Sequence, residues 1–131
     1  LLAPAGYGLF LNIDPRSFND PDFVNNLTAL LQPACEMDRS ITIEITEREN
    51  ILITDTLLAA IRDLRSIGCK LALDDFGSGY STYRFLNLFR PEYLKIEGTF
   101  VRGMLDDRRD QAIVRSAGRW MASTMRCASC G

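Results

Sequence analysis

Residues 41–47 read ITIEITE, and the alternation is strict: Ile41, Ile43 and Ile45 fall on one face of an extended chain, with Thr42, Glu44 and Thr46 on the other. Such a strand offers one aliphatic face for helices to cover and turns a carboxylate to the opposite side. The same phase recurs in three more runs. GLFLNID (8–14) sets Leu9, Leu11 and Ile13 against Phe10, Asn12 and Asp14; KLALDD (70–75) sets Leu71 and Leu73 against Ala72 and Asp74; YLKIEGT (93–99) sets Leu94 and Ile96 against Tyr93, Lys95 and Glu97.

Between these strands the period changes from two to that of a helix. A first helix is expected from Pro21 or Asp22 to Leu31, with Phe23, Leu27, Leu30 and Leu31 sharing a stripe. In the second, Thr54 or Asp55 caps a repeat of Leu57, Leu58, Ile61 and Leu64, and Gly68 supplies the stop. A third starts near Ser81, turns Phe85, Leu86 and Phe89 inward and ends before Pro91; a fourth covers about Asp107 to Met125. Strand and helix alternating four times predict a parallel sheet with right-handed crossovers.

An open doubly wound sheet and a β/α barrel both satisfy that alternation, and the strand phases separate them. Helices on both sides would require two apolar faces, whereas a barrel has one helix-packed outer face and an interior whose upper layer can be polar. The expected fold is therefore α/β, a partial TIM-like (β/α) barrel of about four βα units. Asn12, Glu44, Asp74, Lys95 and Glu97 converge at the C-terminal strand ends, where such barrels place their chemistry.

Composition fits one globular domain: 131 residues, 47% hydrophobic, 24% charged, net charge −2. The basic residues are dispersed, which argues against a DNA, RNA or membrane surface, and no apolar run approaches the roughly 20 residues of a membrane span. The opening LLAPAGYGLF lacks the basic start of a signal peptide. Four scattered cysteines suit a reduced, cytoplasmic setting. Cys127 and Cys130 have C-x-x-C spacing, but no second pair or histidine completes a zinc site. The absence of histidine also removes Ser-His-Asp and Cys-His nucleophile pairs, so proton transfer falls to carboxylates, lysine or water activated by a cation.

LALDDFGSGYS (71–81) puts two neighbouring carboxylates, Asp74 and Asp75, before a glycine-flanked turn. Turn and capping chemistry alone accounts for Asp beside Gly. Converging oxygen donors also suit a divalent cation, Mg²⁺ or Mn²⁺ better than zinc. Lys95, one of only two lysines in the chain, suits phosphate contact or orientation of an attacking water. The plainer alternative is an inward ion pair with Glu97 or Asp74. Cations, carboxylates and a lysine together suit phosphodiester hydrolysis.

Four stretches carry a family resemblance. ITIEITERE resembles the E-L-T-E segment of EAL domains, which hydrolyse cyclic di-GMP. LALDDFGSGYST resembles their D-D-F-G-T-G-Y-S-S loop, YLKIEGTFV their L-K-I-D-x-x-F-V strand, and LNIDPRSF their N-(V/L)-S-P-R-x-F stretch. The match spans most of residues 8–115, with 116–131 a divergent tail of one partial domain. The family fold is a modified TIM barrel. The resemblance implies metal ligation by Asn12, Glu44, Asp74 and Asp75, and a catalytic role for Lys95. It makes Glu47 the glutamate that steadies the loop after the double Asp. That loop, with Gly77, Ser78 and Gly79, is linked in the family to dimerisation and metal retention, and Glu97 stands where the family has Asp. The family's E-A-L segment would precede residue 1, and nothing in 116–131 aligns with the strand carrying its general base. The expectation is a cyclic di-GMP phosphodiesterase giving the linear dinucleotide, with homodimerisation or strand exchange completing the barrel; a module that binds nucleotide or protein without turnover is the alternative.

Overall fold

The structure, a computed structural model, describes residues 8–46, 52–76, 82–96, 98–103 and 105–124. Four strands, β1 (Leu9–Asn12), β2 (Ile41–Thr46), β3 (Lys70–Phe76) and β4 (Tyr93–Ile96), form one sheet in chain order. Every pairing is parallel. Helices α1 (Pro21–Glu36), α2 (Asp55–Ser66) and α3 (Thr82–Phe89) make the crossovers, and α4 (Gly98–Gly103) and α5 (Arg108–Thr124) follow β4.

The aliphatic strand face is the one the helices cover. Ile41, Ile43 and Ile45 of β2 and Leu71 and Leu73 of β3 are all buried, together with Leu31, Leu57, Leu64, Leu86 and Phe89 from the helices. Each contributes about 1.5–3 kcal/mol relative to exposure. Helix α2 starts as its sequence predicts: the Thr54 hydroxyl oxygen accepts the Leu57 N–H at 3.1 Å, satisfying one of the orphan first-turn donors. Gly68, at φ +102°, turns the chain from α2 into β3.

On the opposite face the sheet curls. The rings of Phe10 on β1 and Tyr93 on β4 lie 5.7 Å apart, although a flat sheet would hold side chains three strands apart at about 14 Å. The edge strands therefore bend toward one another over β2 and β3, as the wall of a barrel does.

Several boundaries differ from expectation. β1 ends at Asn12, and Asp14 instead caps a short 3-10 helix, Pro15–Asn19, its carboxylate accepting the Arg16 N–H at 2.9 Å and pairing with the Arg16 side chain. That guanidinium holds the Asp14 carboxyl below its ordinary range. Helix α1 runs past Leu31 to Glu36 with Pro33 inside it, because Leu31 and Ala34 are both buried beneath it. β3 extends to Phe76, and β4 stops at Ile96, with Gly98 and Thr99 opening α4. α5 matches its expected span, with Asp107 accepting the Arg109 N–H at 2.7 Å.

Candidate functional site

The polar strand face is built from rows set by register. Asn12 lies opposite Glu44 and Glu44 opposite Ala72, while Thr46 lies opposite Asp74. Glu44 is buried, its side chain 8% exposed, and so needs a counter-charge. Lys95 of β4 supplies it: its Nζ donates to Glu44 Oε1 at 2.8 Å. The contact crosses the whole width of β3. In the row set by register, Ala72 of β3 lies between Glu44 of β2 and Tyr93 of β4.

The Lys95 ammonium also stands 5.7 Å from the centroid of the Phe10 ring, within cation–π range. The hydrogen bond to Glu44 raises the Lys95 pKa, burial opposes this, and the charges of Glu44, Asp74 and Asp75 add to the rise. Lys95 is thus held as a cation. It suits phosphate contact, proton donation or orientation of water, and not acceptance of a proton at neutral pH.

The double Asp occupies a β-bulge. Leu73 pairs with Leu94 and Phe76 with Ile96, so Asp74 and Asp75 together oppose Lys95 alone. Asp75 takes a left-handed conformation, φ 55°, and its N–H donates to Asp74 Oδ1 at 2.8 Å. Asp tolerates this region better than most residues, yet it still carries strain. The extra residue breaks the side-chain alternation that would send successive carboxylates to opposite faces.

At the other end of the sheet Glu92 sets the register of β4. Its Oε2 accepts the Leu71 N–H at 2.7 Å, its own N–H donates to the Leu71 carbonyl at 2.8 Å, and Arg65 bridges Glu92 and the Arg90 carbonyl. This clip fixes the strand on which Lys95 is carried.

Of the expected site residues, the structure brings Glu44 and Lys95 into contact, sets Asn12 beside Glu44, and places Asp74 and Asp75 on the rim facing Lys95. The lysine pairs with Glu44, not with the Asp74 that the sequence offered as a partner. Among the described residues no three carboxylates or thiols close into a metal cage. The donors nonetheless fit a hard divalent cation in kind, since they are carboxylate and carboxamide oxygens at one rim. Glu47, Gly77, Ser78, Gly79, Glu97, Cys127 and Cys130 lie outside the described residues. Sequence reasoning missed that Ala72, on the polar face, is fully buried. Its signal was present, as the smallest side chain on the polar face of any of the four strands.

Comparison with known proteins bears on this geometry. A family model described as "EAL domain" matches residues 2–126. The cyclic di-GMP phosphodiesterase TpdA of Vibrio parahaemolyticus is 33% identical over 103 residues, covering 78% of this chain and 18% of TpdA. Klebsiella pneumoniae BlrP1, solved as calcium and manganese complexes with cyclic di-GMP, is 33% identical. In the manganese complex it superposes with a TM-score of 0.75 over 91% of this chain and 31% of its own. The EAL domain of Mycobacterium smegmatis DcpA is 26% identical, with a TM-score of 0.72 over 88% of this chain and 52% of its own. The chain thus spans under a fifth of TpdA and about half of that solved domain. The curved four-strand sheet is part of a TIM-like barrel.

Proposed function

This chain belongs to the EAL domain family, and from that premise we propose that it carries part of the active site of a divalent-metal-dependent phosphodiesterase acting on cyclic di-GMP. The observation that supports this most is the buried Glu44 carboxylate, matched across β3 by a lysine held in its charged form, beside a bulge that carries two more carboxylates. A stretch of structural barrel needs no such charges on its inner face.

Asn12, Glu44, Asp74 and Asp75 would hold Mg²⁺ or Mn²⁺, with Glu97 near it and Glu47 steadying the Gly77–Gly79 loop. A bound divalent cation supplies charge stabilisation to phosphate and lowers the pKa of water. Lys95 neutralises the phosphoryl oxygens and orients the attacking water. In the overall reaction water adds to phosphorus, one P–O ester bond breaks, and the ribose oxygen leaves with a proton, giving the linear dinucleotide pGpG. The residue that accepts the proton of the attacking water is not Lys95, since its pKa is raised.

The inner sheet face leaves Phe10 47% and Tyr93 39% exposed. We place a second copy against it, forming a homodimer, with the chain acting in the cytoplasm. Among the described residues no helix is long and apolar enough to cross a membrane.

The test is a chromatographic time course of cyclic di-GMP with the purified chain and Mn²⁺, the oligomeric state being read in parallel by light scattering. Linear product that is lost in Asp74→Asn supports the reading. Nucleotide binding without product would make the chain a binding module and refute hydrolysis.

A further inference from the structure

Two thiols meet at the end of the sheet remote from the candidate site. Cys35 lies in the last turn of α1 and Cys69 immediately before β3, and their sulfurs are 3.7 Å apart although the residues are 34 positions apart in sequence. Both backbones are held by hydrogen bonds. The Cys69 N–H donates to the Leu64 carbonyl at 3.1 Å, and the Cys35 carbonyl accepts the Asp38 N–H at 3.1 Å. The left-handed Gly68 packs close to the Cys35 β-carbon and lets the chain turn there. A disulfide would bring the two sulfurs from 3.7 Å to about 2.05 Å apart.

We infer that Cys35 and Cys69 are a redox pair that oxidises to an intramolecular disulfide, tying the C-terminal end of α1 to the start of β3. The two sulfurs differ in a way that orders the reaction. Cys35 is half-buried, so a small-molecule disulfide reaches it; Cys69 is 5% exposed and does not meet solvent directly. The Cys35 thiolate attacks one sulfur of oxidised glutathione, forming a mixed disulfide and expelling one glutathione thiolate. Cys69 then attacks the Cys35 sulfur and expels the second. The protein loses two protons and two electrons, and the S–S bond of the reagent becomes two thiols. Burial and the neighbouring Cys35 sulfur push the Cys69 thiol up to about 12, so the second step is the slow one.

The pair stands about 17–20 Å along β3 from the double Asp, at the strand's rise per residue. Oxidation therefore acts on the chain as a tether and touches no residue of the candidate site. The closed loop restricts the unfolded chain, and the oxidised form melts higher by on the order of 10 °C.

The experiment uses the full chain with Cys127→Ser and Cys130→Ser, which removes the other thiols. After incubation with oxidised glutathione, intact mass and peptide mapping should show loss of two hydrogens and a Cys35–Cys69 cross-linked peptide, with the rise in Tm reversed by dithiothreitol. Adding Cys35→Ala, at a half-buried position, should abolish both the cross-link and the thermal shift. A glutathione adduct that persists on Cys35, two thiols that stay free, or a cross-link that forms only in urea would each overturn the inference.

Discussion

Replacing Lys95 with Met removes the ammonium while keeping most of the side-chain volume, and it leaves Glu44 buried without its counter-charge. The cost follows from the asymmetry of the pair: the Glu44 side chain is 8% exposed and that of Lys95 48%. A fully buried pair loses about 3–5 kcal/mol when one partner is removed, and an exposed pair about 0–1 kcal/mol. With one partner half in water, Coulomb attraction at the 2.8 Å separation, screened as in water, is about 1.5 kcal/mol. Lys95→Met should therefore destabilise the fold by about 1–2 kcal/mol, or about 5 °C in Tm. Urea unfolding of the wild type, Lys95→Met, Glu44→Gln and the double variant closes a thermodynamic cycle. The double variant should be more stable than Lys95→Met, because it no longer buries an unpaired charge. Additive effects, with a coupling under about 0.3 kcal/mol, would refute the pairing across β3.

Two further outcomes follow from features already described. Ala72→Leu adds volume at a fully buried position; it should cost about 1–3 kcal/mol in chemical denaturation, and an unchanged midpoint would refute the close packing there. Cys69 has a raised pKa, from 9.0 to about 12; the folded chain keeps the proton that the unfolded chain loses, so this contribution is complete below pH 9 and is lost as pH rises toward 12. Alkylation of the native, reduced chain at pH 8 should label Cys35 well ahead of Cys69, and equal rates would sink the assignment.

Much of the fold was legible because each long element carries its own period. The alternation of ITIEITE gave both the strand and the inward Glu44, and Thr54 with Gly68 bounded α2. Short elements were not legible: Pro15–Asn19 and Gly98–Gly103 are five and six residues long, too few turns for a repeat to show. The first helix was expected to end at Leu31, yet burial of Ala34 carries α1 through Pro33 to Glu36. In the site, sequence named Glu44 and Lys95 but not their contact, which depends on two strand registers. The bulge at Asp74–Asp75 was hidden for the same reason, since a two-against-one pairing exists only once β4 is aligned.

Strand order that follows chain order also sets a timetable for folding. Leu9 pairs with Ile41, Thr42 with Lys70 and Ala72 with Tyr93, so the loops to be closed shorten from 32 to 28 to 21 residues along the chain. Closure entropy rises with loop length, which favours nucleation on the parallel β3–α3–β4 unit. Glu44 and Lys95 are 51 residues apart and meet only after both the β2–β3 and β3–β4 ladders exist. The ion pair is thus a late contact, one that holds back unfolding more than it speeds folding.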